Sequence, residues 1–371
     1  MEFKVVDKER DYKLLTSWDA LMASEVPLMP HMSDEEWQRT NKRLREMAVI
    51  SPEPFTENVA TLIPMAWYEE ILVVSWTFGF LGSLLLGPFG LLYLLLYHRG
   101  TFALLCAVVL ALHTLMPNRL RPTVCRGYMA KLALKYFSHR GIWKENLPQD
   151  RPSIIVAPPH GVFPFGSLLA CISVPRIVGL YIRGLAADAL LNIPLIGTRM
   201  KALGLVSASK HVAKKMLLDG WSLGVSSGGI AEIFETWSTK DGKPKVEVII
   251  LKSRGGLCKL ALETGAYLVP SYIFGNTQCL KVWTDPFGIM QRVSRSLRVS
   301  ICFFSGRFGL PIPNRVPLLG VLGSPIIVPK TGNPTQEQVA ALLAKLESEI
   351  KALFDTHKGA YGWTDVNLII K

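Results

Sequence analysis

The segment from Ile71 to Tyr97 carries no charged residue, and it limits what this chain can fold into more than any other feature. At about 1.5 Å per residue, a helix of this length can cross a bilayer core of about 30 Å. A second apolar run, Thr101 to Met116, is only marginally long enough for a full span. Because Gly87-Pro88 can kink the first run, the pair predicts a transmembrane or re-entrant helical hairpin. A buried pair of core helices is the alternative.

Six basic residues after the second run bear on membrane orientation. By the positive-inside rule they place this flank on the cytoplasmic leaflet, although a solvated helix face has the same composition. A formal charge of +12 with a positive mean hydropathy favours a membrane surface over nucleic acid. Six cysteines without CxxC spacing indicate a reducing environment and no metal site. The basic residues are Arg119, Arg121, Arg126, Lys131, Lys135 and Arg140.

These patterns divide the chain into a cytosolic N-terminal arm (residues 1–70), a membrane hairpin (71–116) and a cytosol-facing domain (117–371). Within the arm, Ser33 begins a predicted amphipathic helix that runs toward Met47. The charged start of the chain does not fit a cleavable secretory signal. From Pro152 onward, short aliphatic runs alternate with helical stretches, which predicts an α/β fold with a sheet flanked by helices. The predicted strands are Ile154–Ala157, Leu203–Ser207, Leu223–Ser226, Val246–Leu251 and Tyr267–Ser271, and the predicted helices are Gly255–Thr264 and Thr335–Phe354.

The tetrapeptide Pro158-Pro-His-Gly161 places a single imidazole after the buried run Ser153 to Ala157. Loops at strand ends display reactive groups, and histidine accepts a proton near neutral pH. His160 is therefore a candidate general base that deprotonates a substrate hydroxyl for attack on a thioester. A histidine that only closes a turn is the alternative.

A general base needs an orienting or charge-balancing partner, and the candidate is Glu232 in Gly228-Gly-Ile-Ala-Glu232. The backbone amides of Gly228 and Gly229, at a strand-to-helix junction, can hold an oxyanion or a phosphate. A solvated carboxylate in the first turn of a helix is the plainer interpretation of Glu232.

A competing hydrolase interpretation rests on Gly224-Val-Ser-Ser-Gly228, which matches the G-x-S-x-G nucleophile pattern with Ser226 as nucleophile. Asp285, Asp355 and His357 follow it, so a triad in the order Ser, Asp, His is conceivable. Short glycine-serine matches are, however, common by chance.

Three cations are candidates for holding phosphate. Lys252 and Arg254, beside two glycines at a helix start, suit the phosphates of coenzyme A, although a basic surface turn has the same residues. Arg307 follows an apolar strand, where it can pair with Glu232, with phosphate or with nothing.

Ordered blocks from the hairpin to the C-terminus resemble the type-2 diacylglycerol acyltransferase family, which includes monoacylglycerol and wax-alcohol acyltransferases. Two departures from the family stand out: Pro158 stands where many members have histidine, and Gly255 where many have lysine. In glycerolipid acyltransferases generally, the position of Phe165 holds an aspartate. The blocks are Pro159–Gly161, Gly228–Glu232, Leu251–Pro270, Phe274–Asn276, Gly306–Arg307, Val321–Pro329 and Leu353–Lys358.

The resemblance implies transfer of a fatty acyl group from acyl-CoA to the free hydroxyl of diacylglycerol, without an acyl-enzyme. His160 would be the catalytic histidine and Glu232 its helper, with acyl-CoA as co-substrate and no cofactor or metal. The expected setting is the endoplasmic reticulum membrane and lipid-droplet surface, with the bilayer as partner, no nucleic acid, and a homo-oligomer compatible with the chain. A lipid-binding protein without chemistry is the non-enzyme alternative. The predicted substrate site comprises Pro159, Gly161, Gly228, Gly229, Lys252, Arg254, Asn276 and Arg307.

Overall fold

A computed structural model describes most of the chain and leaves out several segments of the N-terminal arm and some loops. The predicted helix from Ser33 toward Met47 lies outside the described residues, as do Arg119, Arg126, Lys252 and Arg254. The described ranges are 3–4, 11–15, 48–52, 59–115, 120–121, 124–125, 127–143, 147–148, 150–178, 182–235, 244–251, 255–283, 285, 287–297 and 300–371.

A mixed β-sheet organises the described part of the chain. Within that part, nine strands form one sheet in the order β2-β1-β3-β12-β9-β4-β7-β5-β6, while β10–β11 and β8–β13 form two separate ribbons. The strands are β1 Asp11–Leu15, β2 Ala48–Pro52, β3 Arg140–Trp143, β4 Ser153–Val156, β5 Ile182–Ala186, β6 Val206–Ser207, β7 Ser222–Val225, β8 Val246–Ile249, β9 Tyr267–Phe274, β10 Lys281–Val282, β11 Phe304–Ser305, β12 Leu319–Leu322 and β13 Asn367–Ile370.

Helices connect and cover these strands, so the predicted α/β class is confirmed. The predicted helix Gly255–Thr264 has those bounds, and Thr335 caps the last helix by accepting a hydrogen bond from the Gln338 amide at 3.2 Å. The helices are α1 Trp67–Tyr97, α2 Arg99–Leu115, α3 Tyr128–Tyr136, α4 Phe165–Val178, α5 Asp188–Leu191, α6 Ile196–Ala202, α7 Lys210–Leu218, α8 Gly229–Ile233, α9 Gly255–Thr264, α10 Ile289–Leu297 and α11 Gln336–His357.

The central strands are buried on both faces, which explains their continuous aliphatic sequences. Every residue of β4 and β9 is buried. Ile154 and Val156 face a core shared with α11, whereas Ile155 faces a second core shared with α4 and the first half of α1. Alternate side chains of β4 therefore pack into two separate apolar layers.

Parallel pairing brings several predicted site segments to one edge of the sheet. Strand β4 runs parallel to both β7 and β9, with Val156 opposite Val225 and Pro270. The loop with His160 and the Gly228–Glu232 segment therefore leave the sheet at the same carboxyl edge, where ligands bind in open α/β sheets. Strand β9 continues past this edge and ends just before Asn276.

Helix α1 corresponds to the charge-free run and begins four residues before Ile71. Of the helices in the described ranges, it is the one long and apolar enough to cross a membrane, while α2 is shorter. Its first half packs on the domain through Val73, Phe80 and Leu81, and its second half exposes residues such as Leu86 and Phe89.

Charged residues at the N-terminal end of α1 join it to the domain. Lys135 Nζ lies 2.7 Å from Glu69 Oε2. Glu70 pairs with Arg307 and, at 3.6 Å, with Arg315. Lys135, one of the six basic residues after the apolar runs, thus has a tertiary role in addition to any role at a membrane surface.

Candidate active site

The imidazole of His160 is partly buried in the loop after β4, and a hydrogen bond sets its tautomer. Its Nδ1 atom lies 2.9 Å from the carbonyl oxygen of Gly161. Because a carbonyl only accepts, Nδ1 carries the proton in the neutral ring, and Nε2 keeps the lone pair that can accept one. Gly161 has φ +59°, a left-handed conformation that glycine adopts without strain. The local backbone therefore determines which ring nitrogen carries the proton in the neutral imidazole.

The side chain of Asn276 holds this loop in shape. Its Nδ2 atom donates to the carbonyls of His160 at 2.8 Å and Pro159 at 3.2 Å, and it lies 3.4 Å from that of Phe163. Its Oδ1 atom accepts from the Gly166 amide at 3.0 Å. One buried amide thereby satisfies backbone groups on both sides of the histidine. Asn276 was predicted in the substrate site, which stays a prediction, and its observed contacts are with the loop.

A buried carboxylate binds Thr277, the residue after Asn276. Glu247, 2% exposed, accepts hydrogen bonds from Thr277 Oγ1 at 2.6 Å and from Tyr272 Oη at 3.1 Å. Burial raises the pKa of Glu247 to about 7, and the two hydrogen bonds oppose that rise. Sequence reasoning missed Glu247. A charged residue within the aliphatic run Val246–Ile249 was the signal for it.

The Gly228–Glu232 segment follows the end of β7 and forms the N-cap and most of the short helix α8. Glu232 is 1% exposed, so the solvated interpretation of this carboxylate is wrong. A Cβ atom on Gly228 would lie 1.2 Å from Glu232 Oε2, which means that the carboxylate folds back over Gly228 and excludes any side chain there. Gly229, with φ +58°, lines the same cavity as His160. Whether Glu232 assists His160 stays a prediction.

A cavity of about 1140 Å³ includes His160 in its wall and is lined by residues of both apolar layers, such as Leu260 and Ile155. Apolar side chains make up most of its wall, including Leu81, Leu84 and Leu85 of α1. Phe80 of α1 also packs edge-to-face on Phe163, three residues after His160, with ring centroids 5.7 Å apart. Helix α1 therefore contacts the histidine loop and forms part of the cavity wall. A space of this size and lining suits a long acyl chain.

One polar pair lies within this apolar wall. His139 Nε2 and Ser173 Oγ are 2.8 Å apart, and both residues are buried. Burial lowers the pKa of His139 to about 4, so its imidazole is neutral at physiological pH. The sequence showed no pattern that would have singled out this histidine.

Of the three cations predicted to hold phosphate, the structure describes Arg307. Lys252 and Arg254 lie outside the described residues, next to Gly255 at the start of α9. Arg307 is paired with Glu70, a partner that the sequence did not indicate. Its role in binding substrate stays a prediction. Lys210, which sequence reasoning missed, lines the cavity and is exposed.

The residues of the hydrolase interpretation are not assembled. Ser226 lines the cavity, but Asp285, Asp355 and His357 do not. Asp285 accepts hydrogen bonds from the amides of Ile289 and Gln291 at the start of α10. Asp355 pairs with Lys351, and His357 Nδ1 bonds to the Leu353 carbonyl inside α11. The structure thus gives Ser226 no triad from these three residues.

Comparison with known proteins agrees with this geometry. The family model described as diacylglycerol acyltransferase matches residues 93–371. The chain is 28% identical over 340 residues to diacylglycerol O-acyltransferase 2-like protein 6 of Mus musculus, covering 85% of this chain and 97% of that protein. It is 34% identical over 184 residues to 2-acylglycerol O-acyltransferase 1 of Bos taurus, and this match covers 46% of this chain and 52% of that protein.

A solved structure, the 1-acyl-sn-glycerophosphate acyltransferase PlsC from Thermotoga maritima, covers 76% of this chain and 95% of its own, with 18% identity and a TM-score of 0.36. The family match contains His160, Glu232 and Asn276 and covers most of the chain. The chain is therefore an acyltransferase and belongs to the diacylglycerol acyltransferase family.

Proposed function

We propose that this protein transfers a fatty acyl group from acyl-CoA to the free hydroxyl of 1,2-diacylglycerol, forming triacylglycerol, with His160 as general base. The observation that carries the proposal is the bond from His160 Nδ1 to the Gly161 carbonyl in the wall of a large apolar cavity. This bond does what an orienting carboxylate does in other general-base sites: it fixes the tautomer and leaves Nε2 to accept the hydroxyl proton. The alkoxide oxygen then attacks the thioester carbonyl, and the coenzyme A thiolate leaves.

The acyl-CoA is expected to enter at a polar mouth of the cavity. Ala187, Ala208, Lys210 and Gly256 are exposed and also line the cavity, so they mark a place where it reaches the surface. Lys210 and Lys214 share the single carboxylate of Glu263, at 2.7 and 3.0 Å, which leaves net positive charge there. Coenzyme A phosphates suit this charge. Lys252 and Arg254, just before α9, are proposed to add to it.

The setting we propose is the endoplasmic reticulum membrane, and lipid droplets that form from it, with the α1–α2 segment as membrane hairpin and the sheet domain in the cytosol. Support comes from the apolar length of α1 and from the exposure of its second half. No cofactor is needed, because acyl transfer to a hydroxyl requires only a base and the activated thioester.

Replacing His160 with alanine tests the role of the base. Membranes containing H160A should transfer labelled acyl groups from acyl-CoA at least about 100-fold more slowly than wild type, since general-base catalysis contributes about that much. H211A is the matched control because His211 is exposed on α7, outside the cavity wall. Activity of H160A equal to that of H211A would overturn the assignment.

Monoacylglycerol is a second candidate acceptor, because one relative carries the name 2-acylglycerol O-acyltransferase 1. Monoacylglycerol, and with it long-chain alcohols, presents the same hydroxyl chemistry in a different shape. Membranes offered diacylglycerol, monoacylglycerol and a long-chain alcohol with one labelled acyl-CoA should yield mainly triacylglycerol. Diacylglycerol or wax ester as the main product would replace the proposed acceptor and leave the acyltransfer mechanism intact.

A further inference from the structure

The cavity reaches the protein surface at a second mouth. This mouth differs from the one at Lys210 in its residues and in the secondary-structure elements that form it. Pro88 of α1 and Ser300, before β11, are both exposed and both line the cavity. Cys302 and Phe304 continue the wall inward from Ser300. The opening therefore lies between the apolar helix α1 and the extended segment 300–304.

Beside this mouth the protein exposes a group of large apolar side chains, which we call the 283–310 surface. Trp283 and Phe303 lie side by side across the β10–β11 ribbon, with ring centroids 6.1 Å apart. Phe287 and Phe308 are 75% and 74% exposed. A group of exposed large apolar side chains within one segment is typical of a contact with a membrane or another protein. The surface comprises Trp283, Phe287, Ile289, Val293, Ile301, Phe303, Phe308 and Leu310.

Helix α10, within this surface, exposes aliphatic side chains and buries a polar one, which is the reverse of the pattern in a helix that faces water. Ile289 and Val293, one turn apart, are exposed. Ser294 is fully buried, where its hydroxyl donates to the Ile301 carbonyl at 3.1 Å and accepts from the Ile301 amide at 2.9 Å. A hydroxyl directed inward and aliphatic residues directed outward are favourable where the surroundings are apolar.

The surface is continuous with α1. Pro311, directly after it, lies 3.8 Å from the Cβ position of Gly82 on that helix. Arg307 within it is paired with Glu70 at the beginning of α1. A helix long enough to cross a bilayer and a projecting apolar surface are thus joined at two points, which suits contact with the same lipid phase.

Charge also favours a membrane over a protein partner. Lys281 and Arg292, at the margin of the surface, are exposed, and the chain as a whole carries +12. Aromatic and aliphatic side chains bordered by basic residues are typical of elements that lie in the interface of an anionic bilayer. Rings such as Trp283 are favoured at that depth.

We propose that the 283–310 surface rests on the bilayer and that the mouth between Pro88 and Ser300 admits the lipid acceptor sideways from the membrane. This inference rests on the proposed function, because it assigns a route to the acceptor of that reaction. The route suits a lipid with long chains and a small uncharged head, whose hydroxyl can travel along an apolar wall to His160. The charged coenzyme A portion of the donor stays at the Lys210 mouth.

Lipid contact is tested by quenching with brominated phosphatidylcholine. The full chain is reconstituted in vesicles of phosphatidylcholine and phosphatidylserine, and the quenching of wild type is compared with that of W283F. The difference isolates Trp283, which is 62% exposed. We expect that difference to exceed several-fold the one given by W221F, since Trp221 stacks under Arg183 at 5.2 Å in the sheet domain. Equal differences would mean that the surface faces water or a protein, and would overturn the proposal.

The portal is tested by filling its rim. P88W and S300W are each expected to raise the KM for dioleoylglycerol in vesicles about tenfold, while the KM for acyl-CoA changes little, because only the acceptor passes that mouth. L218W is the matched control, since Leu218 is 62% exposed on α7 and does not line the cavity. Unchanged acceptor KM in both rim variants would refute the portal while leaving the proposed function standing. Failure of wild type to acylate any glyceride would refute the proposed function instead.

Discussion

Two parts of the cavity wall, the Pro158–Gly161 loop and helix α1, differ in what holds them in place. The loop is held by hydrogen bonds that the buried Asn276 side chain makes to its backbone and by one from the Ile273 amide to the Pro158 carbonyl, and Glu247 binds the adjacent Thr277. Helix α1 is held by ion pairs at one end and by apolar contacts along its first half, while its second half extends away from the domain.

The difference fits two separate tasks. In the proposed reaction, proton removal needs the His160 imidazole within a fraction of an ångström of its working position, and directional hydrogen bonds supply that precision. A wall that accommodates flexible lipid chains needs no such precision, and apolar contacts tolerate small displacements of the helix. Breaking each kind of attachment should therefore have a characteristic effect.

The largest effect is expected from Asn276→Ala, which removes the partner of backbone groups on both sides of His160. We expect kcat to fall about 100-fold with little change in KM, because the base loses its position while the cavity persists. Asn276→Asp should fall nearly as far, since a carboxylate can accept from Gly166 but cannot donate to the carbonyls. Acyl transfer by reconstituted protein is the measurement.

Asn314→Ala is the matched control for that experiment, because Asn314 donates to the Gln278 carbonyl at 3.0 Å in a neighbouring loop. If N276A and N314A lost equal activity, the special role of Asn276 at the histidine loop would be refuted.

A smaller effect is expected at α1 from Glu70→Gln, which removes the ion pairs with Arg307 and Arg315. A partly exposed ion pair contributes about 1 kcal/mol, so activity toward vesicle-borne diacylglycerol should fall about fivefold. The loss should appear in the acceptor KM rather than in kcat. Lys351→Gln removes the exposed pair with Asp355 and should leave activity unchanged. A pure kcat loss in E70Q would contradict the comparison, because it would tie α1 to the histidine.

The least change in activity is expected from two buried groups away from the ion pairs, whose effects should appear instead in the pH dependence of stability, with opposite signs. Burial lowers the pKa of His139 from 6.5 to about 4, so its contribution to stability is lost as pH falls from about 6.5 toward 4. Burial raises the pKa of Glu247 from 4.5 to about 7, so the folded state is favoured at low pH and stability falls as pH rises through that range. Each effect is at most on the order of 3 kcal/mol.

Thermal unfolding in detergent between about pH 5 and pH 7 separates the two groups. In this range E247Q should show a steeper rise of stability with pH than wild type, and H139Q a flatter one. The same sign of change in both variants would show that burial does not control both pKa values.

Much of the sheet domain was predictable from sequence because β4, β7, β8 and β9 are short aliphatic runs with distinct ends. Observed bounds differ from the predicted ones by a few residues, as at Tyr267–Phe274, where the strand continues past Ser271. Strand β2, at one edge of the sheet, and its neighbour β1 were not predicted, since their residues show no clear alternation and their pairing is decided by distant partners.

The site was predictable where a local sequence pattern carries the chemistry and unpredictable where distant residues meet. His160 and the Gly228–Gly229 pair lie at strand ends that parallel pairing brings to one edge. The clamp by Asn276 and the pairing of Arg307 with Glu70 join residues 116 and 237 positions apart, and no short pattern encodes such contacts. The sequence named Asn276 and Arg307 as important but did not reveal what they touch.

The clamp also has a consequence for how the enzyme matures. His160 leaves the ribosome 116 residues before Asn276, the residue whose side chain sets its loop. Until β9 and the turn after it have been synthesised and have joined the sheet, the histidine loop lacks those hydrogen bonds. In the proposed membrane setting, a nascent chain inserted through α1 is therefore without a formed histidine loop, and the proposed ability to acylate surrounding lipid arises only late in synthesis.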